Sequence, residues 1–482
     1  MPRAFDLRAA AHQAMLENGF VPDVPPEVQG ELANIRETSI ASSSVQDLRG
    51  LPWSSIDNDS SRDLDQLEVA DRLANGDARV LVAIADVAGT VVLGSATDQF
   101  AAKNATSVYT GVITYPMLPE RLSTNLTSLA ADQDRPSVVI EFVVAGDGTI
   151  RSHTVYLALV HNYAKLAYGS VGAWLDGHGD LPLSATTEVE NQLRLQDTIA
   201  QSLRAQRAKL GALDLETIEA QSVVHPDDTV SVELVRKTRA SHLIEDFMIA
   251  ANVAMAQFLD ERGSPSIRRV VRTPERWDRI VALAATLGET LPAEPSSVAL
   301  EEFLKKRHAV DPDHFPDLSL SVVKLIGPGE YALHTPGSTD VGHFGLAAHD
   351  YTHSTAPNRR FADLVMQRLL KASLAAQPSP YGNDELAQIA MHCTEREDAA
   401  RKVERQVRKD VAAMSMGNRV GESFDAIVTG ATRKGTFVRL IHPPVEGRVV
   451  RGDHGLDVGD KLRVTLLATD PGRGFLDFGA LR

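Results

Sequence analysis

Four carboxylates fall within the run Ile56-Asp57-Asn58-Asp59-Ser60-Ser61-Arg62-Asp63-Leu64-Asp65-Gln66. Asp63 and Asp65 are two positions apart, so on an extended chain they share one face, and Asp57 and Asp59 are spaced the same way. Crowded carboxylates raise one another's pKa unless a cation sits between them. Oxygen-only donors of this kind suit magnesium, with manganese as the alternative. Such ions activate water and stabilise the leaving oxygen in phosphodiester cleavage. Read as ordinary structure, the same run is a solvated acidic turn. It lacks the glycine that an EF-hand loop needs at its sixth position, where Arg62 stands.

A second constellation lies far downstream, in Tyr351-Thr352-His353-Ser354-Thr355-Ala356-Pro357-Asn358-Arg359-Arg360-Phe361-Ala362-Asp363. Pro357 fits just before a helix start, which puts Arg359 and Arg360 near its first turn, where positive charge beside free backbone N–H groups suits a phosphate. Read structurally, these are two surface arginines at a helix end. His343, His349 and His353 invite a zinc reading, but Asp350 stands where the zinc-protease motif has Glu, and the segment reads as strand and loop. The sequence contains no Walker loop, no GxGxxG before a helix and no GxSxG elbow.

The elements that must position these groups belong to a chain of 482 residues, long enough for two or three domains. Hydrophobic content of 43% and charged content of 23% are those of a globular protein. Cys393 is the one cysteine, so a reducing, cytoplasmic setting is expected. There is no secretory signal pattern and no apolar run of membrane-span length. The net charge of −15 argues against tight nonspecific duplex binding, yet basic residues cluster at 268–272, at 359–360 and over 396–409. Helical patterns are read at 4–17, after Pro25-Pro26, and over 187–209, 239–262, 274–287, 361–375 and 383–416. Residues 38–47 read as a linker. Apolar strands are read at 80–87 and 137–144, and a set of short strands from 424 to 467 suggests a five-stranded OB barrel.

Together these pieces resemble the ribonuclease II / ribonuclease R family of RNB-domain exoribonucleases. The aspartate run looks like the family's metal motif, and Val82-Ala83-Ile84-Ala85-Asp86-Val87 like the strand after it. Residues 106–109, 116–123, 244–252, 343–346, 351–364 and 400–405 follow in the family's order, and the C-terminal barrel looks like an S1-type domain. The resemblance implies an α+β fold: a short helical segment at 1–45, a large mixed RNB-type catalytic domain at 46–417, and a small all-β OB-fold barrel at 418–482. It implies a magnesium centre at Asp57, Asp63 and Asp65 with position 66 as a further ligand. Arg359 would hold the scissile phosphate, Glu404 would assist near the attacking water or leaving group, and Tyr109 would stack on a base. Arg360 and, in the barrel, Phe437 are further RNA contacts. The implied activity is 3′-to-5′ hydrolysis of single-stranded RNA to nucleoside 5′-monophosphates and a short end product, by a monomer with no membrane partner.

Three departures stand out. Gln66 replaces the family's usual Asp, which removes a negative charge from the metal site, and Asp59 is the nearest compensating carboxylate. Gly263-Ser264-Pro265-Ser266-Ile267 offers no aromatic to clamp bases. The N-terminal cold-shock domains of the family are not found. The first of these leaves a rival expectation, an RNB-fold protein with weakened catalysis that sequesters RNA.

Overall fold

The computed structural model of the chain describes residues 5–36, 45–182, 185–216, 219–224, 230–312, 314–338, 342–432, 435–457 and 459–481. Most of the linker expected at 38–47 lies outside them. Helix α1 (Leu7–Glu17) starts later than the pattern at 4–17 suggests, because the Asp6 side chain accepts from the N–H groups of Arg8 and Ala9 and so caps it there. Helix α2 (Pro26–Asn34) opens on its proline, where no intrahelical hydrogen bond is lost.

A seven-stranded sheet follows, built from β1 (Gln46–Asp47), β2 (Ser54–Asp57), β3 (Gln66–Arg72) and β4 (Ala78–Ala85). After α3 (Ala96–Asn104) and a small hairpin of β5 (Val108–Tyr109) and β6 (Thr114–Tyr115), it is completed by β7 (Asp134–Val144), β8 (Ile150–His161) and β9 (Ala164–Ala167). The order is β1-β8-β7-β4-β3-β2-β9, antiparallel except for the two edge pairs β1–β8 and β2–β9. β4 and β7 are buried on both faces, which is why they read as continuous apolar runs instead of alternating ones. Helices α4 (Tyr168–Leu175) and α5 (Thr187–Lys209) come next, then a hairpin of β10 (Glu219–Val224) and β11 (Val230–Val235), and then α6 (Arg239–Glu261). The last of these lies against the sheet, where Phe247 meets Phe142 edge-on with ring centroids 6.5 Å apart.

Strand β12 (Ser266–Val270) leads to a separate helical layer of α7 (Trp277–Thr286), α8 (Ser297–Val310) and α9 (Phe315–Ile326), packed around Trp277, Ile280, Phe303 and Leu304. β13 (Glu330–His334) returns to pair with β12. The two long C-terminal helices are α10 (Phe361–Leu374) and α11 (Asn383–Ser415). A closed barrel then forms from β14 (Ser423–Thr432), β15 (Gly435–Leu440), β16 (Glu446–Arg451), β17 (Lys461–Asp470) and β18 (Phe475–Leu481), in the order β14-β15-β16-β18-β17. This is the α+β architecture with a C-terminal five-stranded barrel. The barrel shares one apolar core with both ends of the chain: Met15 of α1, Val407 and Val411 of α11, and Phe424, Val464 and Phe478 pack together. Arg439 of β15 also reaches Asp317 of α9 at 2.5 Å. Among the described residues no helix is long and apolar enough to cross a membrane.

Phe142 and Phe247 are fully buried, and their edge-on contact joins helix to sheet. Phe247→Ala is expected to destabilise the sheet domain by about 3–5 kcal/mol, measured as a lowered urea midpoint with an unchanged slope.

Candidate active site

Strand β2 ends at Asp57, and the chain turns immediately. Asp57 Oδ1 accepts from the N–H of Asn58 at 2.7 Å and from the Ser61 hydroxyl at 3.0 Å, and the Ser61 N–H closes the turn on the Asn58 carbonyl. The two-residue repeat of a strand therefore stops here. Asp59, the compensating carboxylate that the sequence suggested, is exposed, and its carbonyl accepts from Lys165 Nζ. The chain straightens again toward β3. Leu64 donates its N–H to Ser128 Oγ and accepts from the Leu129 N–H, which sets the two aspartates beside it. Asp63 is half-buried and Asp65 is buried.

The partner segment is locked just as firmly. Asn252 of α6 accepts through Oδ1 from both the N–H and the hydroxyl of Ser354, at 2.8 and 2.9 Å. Asp363, fully buried in the first turn of α10, accepts from the Ala356 N–H and from Arg360 Nη2. The loop so held presents two donors to one carboxylate: the Asn358 N–H reaches Asp65 Oδ1 at 3.1 Å, and Arg359 Nε reaches Oδ2 at 3.2 Å. Asp65 is 2% exposed and Arg359 45%, so the guanidinium bridges the buried acid and the solvent.

The same loop carries the aromatic. Ser107 donates its N–H to the Arg359 carbonyl, and Phe361 donates to the Ala105 carbonyl, which fixes the approach to β5. Tyr109 then stands with its hydroxyl 3.5 Å from Asp63 Oδ2, while its N–H donates to Glu404 Oε1 of α11 at 3.0 Å. Asp63, Asp65, Tyr109, Arg359 and Glu404 thus form one connected group, although they come from widely separated stretches of chain.

Burial pushes the Asp65 carboxyl up to about 7, opposed by Arg359 and by the Asn358 N–H and reinforced by Asp63. Burial likewise raises Asp63, with the charge of Arg359 opposing and that of Asp57 adding. The sequence-level picture of mutually repelling acids is thus corrected in one respect, since Arg359 already relieves part of the repulsion at Asp65. Among the described residues no three His, Cys, Asp or Glu side chains stand as a closed coordination set. The donor chemistry still fits a hard divalent cation: all donors are oxygens, and desolvation raises Asp63 and Asp65 in a way that a cation would offset.

Other candidates fall elsewhere. Gln66 is buried in β3 opposite Ile84, and as Asp65's neighbour on an extended strand it projects to the other face. Arg360 is part-buried and donates to Asp363 and Thr355, so it helps to hold the loop. In the basic run at 268–272, two of the three arginines are buried and only Arg272 reaches the surface. Arg268 is buried in β12, Arg269 forms a two-pronged pair with Glu397 and lies 4.7 Å over the Tyr331 ring, and Arg272 pairs with Glu330. Phe437 is 38% exposed on β15 opposite Arg448. His353 bonds the Tyr331 hydroxyl at 2.8 Å and packs edge-on against Tyr351, as does His343, while His349 is exposed. Sequence reasoning assigned no role to Asn252, Asn358 or Asp363. A signal existed for Asp363, an acid in a helix first turn, but backbone donors such as the Asn358 N–H leave no trace in residue type.

The raised Asp65 pKa has a direct consequence in metal-free protein. Between pH about 4 and about 7 the unfolded carboxyl ionises while the folded one keeps its proton, so stability falls as pH rises through that window and the loss is complete above it. Asp65→Asn is expected to flatten this part of the profile in urea denaturation with EDTA. An unchanged profile would show that Asp65 ionises normally.

With the geometry in place, similarity to known proteins can be judged against it. Residues 45–376 match the RNB domain, and residues 422–481 match the RNase II-type exonuclease C-terminal S1 domain. Ribonuclease R of Thermotoga maritima is 30% identical over 95% of this chain and 68% of its own length. Ribonuclease R 1 of Lactococcus lactis is 29% identical over 88% of this chain, and the chain spans about half, 54%, of that relative. Mycoplasma genitalium RNase R in complex with ribose-methylated single-stranded RNA superposes with a TM-score of 0.89 at 24% identity, over 99% of this chain and 78% of that one. A paired RNB domain and S1 barrel, in that order and with this fold, place the chain in the RNB-domain family of ribonuclease II and ribonuclease R.

Proposed function

We propose that the protein is a magnesium-dependent 3′-to-5′ exoribonuclease, with manganese as the alternative ion, acting as a cytoplasmic monomer on single-stranded RNA to release nucleoside 5′-monophosphates and a short end product. The observation that carries the reading is the joining of Asp65, Arg359, Tyr109, Asp63 and Glu404 into one group. It combines acidic oxygens for a cation, a half-exposed guanidinium for a phosphate and an aromatic for a base. The names of the relatives, and the RNA in the Mycoplasma complex, support the same reading.

Asp57, Asp63 and Asp65 would hold the cation. When bound, it supplies Lewis-acid polarisation of the phosphoryl oxygens and a more acidic water. The chain's own residues do the rest. Arg359 is anchored through Nε on Asp65, which leaves its terminal nitrogens to meet the scissile phosphate and the negative charge that develops there. Tyr109, 42% exposed, offers a ring face to the last bases, and stacking of this kind grips any base without reading sequence. Glu404 holds the Tyr109 backbone, and as a carboxylate beside the ring it would take a proton from the attacking water or assist the leaving group. Phe437 offers a second stacking surface on the barrel.

Gln66 favours a second reading, a catalytically weakened protein that sequesters RNA. Incubation with labelled oligo-RNA separates the two. Monophosphate release that stops with EDTA supports the nuclease, and stable complexes without release support sequestration. For the nuclease, Asp65→Asn is expected to abolish cleavage while RNA binding persists, and Arg359→Ala to lower the rate by about 10²–10³-fold. Activity of either variant equal to wild type on single-stranded RNA with magnesium removes the site assignment. Tyr109→Ala is expected to lengthen or blur the end product, read from the product ladder on a gel.

A further inference from the structure

Thr127, Ser128 and Leu129 are buried, and none belongs to the connected group of Asp63, Asp65, Tyr109, Arg359 and Glu404. They follow the helical turn Leu122–Leu126, which the Thr127 N–H closes on the Leu122 carbonyl. The Thr127 hydroxyl donates to Asn358 Oδ1 at 2.5 Å, with the Leu122 carbonyl 2.9 Å away as its other acceptor. Asn358 is itself fully buried, and its Nδ2 has no partner among the described residues, so Oδ1 is the atom by which this side chain is held. The same residue presents the N–H that reaches Asp65 Oδ1. Arg359 follows it in a turn that the Arg359 and Arg360 N–H groups close on the Ala356 carbonyl.

The next two residues grip the other half of the site. Ser128 Oγ accepts the Leu64 N–H at 3.1 Å and donates to the Arg62 carbonyl at 2.8 Å, and the Leu129 N–H donates to the Leu64 carbonyl. Asp63 lies between the two tethered residues, and Asp65 comes directly after them. The segment is in turn fixed to the sheet domain. Arg135 of β7 donates from Nε to the Ser128 carbonyl at 3.1 Å, and Asn162, just past β8, donates from Nδ2 to the Leu129 carbonyl at 2.8 Å. One stretch of three residues therefore holds the arginine loop by one hydroxyl and the acid segment by the next.

We infer that Thr127 and Ser128 are positioning residues for phosphodiester hydrolysis, a buried spacer that sets the separation between the 63–65 acid segment and the Arg359 guanidinium. The inference rests on the exoribonuclease reading of the site. Each hydroxyl acts through a partner, Thr127 through Asn358 and Ser128 through Leu64 and Arg62. Charge that develops on a phosphate in the transition state is sensitive to that separation, whereas a strand gripped by stacking at Tyr109 is not. The spacer therefore bears on kcat and leaves KM alone.

The test is steady-state kinetics of the full chain on labelled single-stranded RNA with magnesium. Thr127→Val keeps the shape of the side chain and removes its hydroxyl, and it is expected to lower kcat by about 10²-fold at unchanged KM. Ser128→Ala is expected to give the same signature, and Thr127→Ser, which keeps the hydroxyl, to retain wild-type kcat. Hydrogen exchange in EDTA without RNA, read by mass spectrometry on peptides covering 355–361, is expected to be faster in Thr127→Val. Wild-type kcat or unchanged exchange in Thr127→Val overturns the inference and leaves the nuclease reading standing. So does a loss in Thr127→Ser as large as in Thr127→Val, which traces the effect to packing of the methyl group. No hydrolysis by the wild type removes both. Should Thr127→Val fail to fold, Asn358→Ala takes its place, because it keeps the backbone N–H and loses Oδ1: a fall in kcat at unchanged KM supports the spacer, and wild-type kcat overturns it.

Discussion

Asp65 is taken out of water and given two donors from a loop that lies almost three hundred residues further along the chain, the Asn358 N–H and Arg359 Nε. An isolated buried carboxylate is costly, and one with imperfect partners is little better. The arrangement therefore persists only because the loop cannot relax away. Asn252 holds it at Ser354, Asp363 holds it at Ala356 and Arg360, and Ser107 holds it at the Arg359 carbonyl. Each of these clamps is buried and hydrogen-bonded. The scaffold thus fixes the Arg359 guanidinium before any ligand arrives.

The seven-stranded sheet is the other half of that constraint. β2, which ends on Asp57, and β3 are adjacent strands whose connection holds Asp59, Asp63 and Asp65, and β4 and β7 anchor them in the apolar core. The helices α6 and α10 lie against this sheet and bring Asn252 and Asp363 with them. The functional side chains cluster where sheet, α6 and the start of α10 converge, so stability of the core and geometry of the site are one problem.

Much of this was readable in residue order. The 80–87 and 137–144 runs are β4 and β7, the long helical patterns are α5, α6, α10 and α11, and Gly- and Pro-punctuated short strands mark the barrel. Other parts were hidden, for physical reasons. Near its start β8 has four consecutive polar residues, Arg151, Ser152, His153 and Thr154, which mask the apolar run from Val155 to Val160 behind them. Asp59 looked equivalent to Asp63 because spacing alone does not reveal where a strand stops. Arg268 and Arg269 looked like a nucleic-acid patch, yet their charge is absorbed inside the protein, by Glu397 in the case of Arg269. Backbone donors and burial, the two things that most shape Asp65, are properties of the folded chain and not of any residue type.

Helix α11 runs for 33 residues without an interior glycine or proline, which makes it a rod close to 50 Å long at about 1.5 Å per residue. Cys393 toward one end is embedded in the core of the sheet domain, Val411 and Met416 near the other are embedded with the barrel, and Glu404 sits between. Such a rod ties the two cores together: a displacement of the barrel against the sheet domain is carried along one strut past Glu404 and so to the Tyr109 backbone that Glu404 holds.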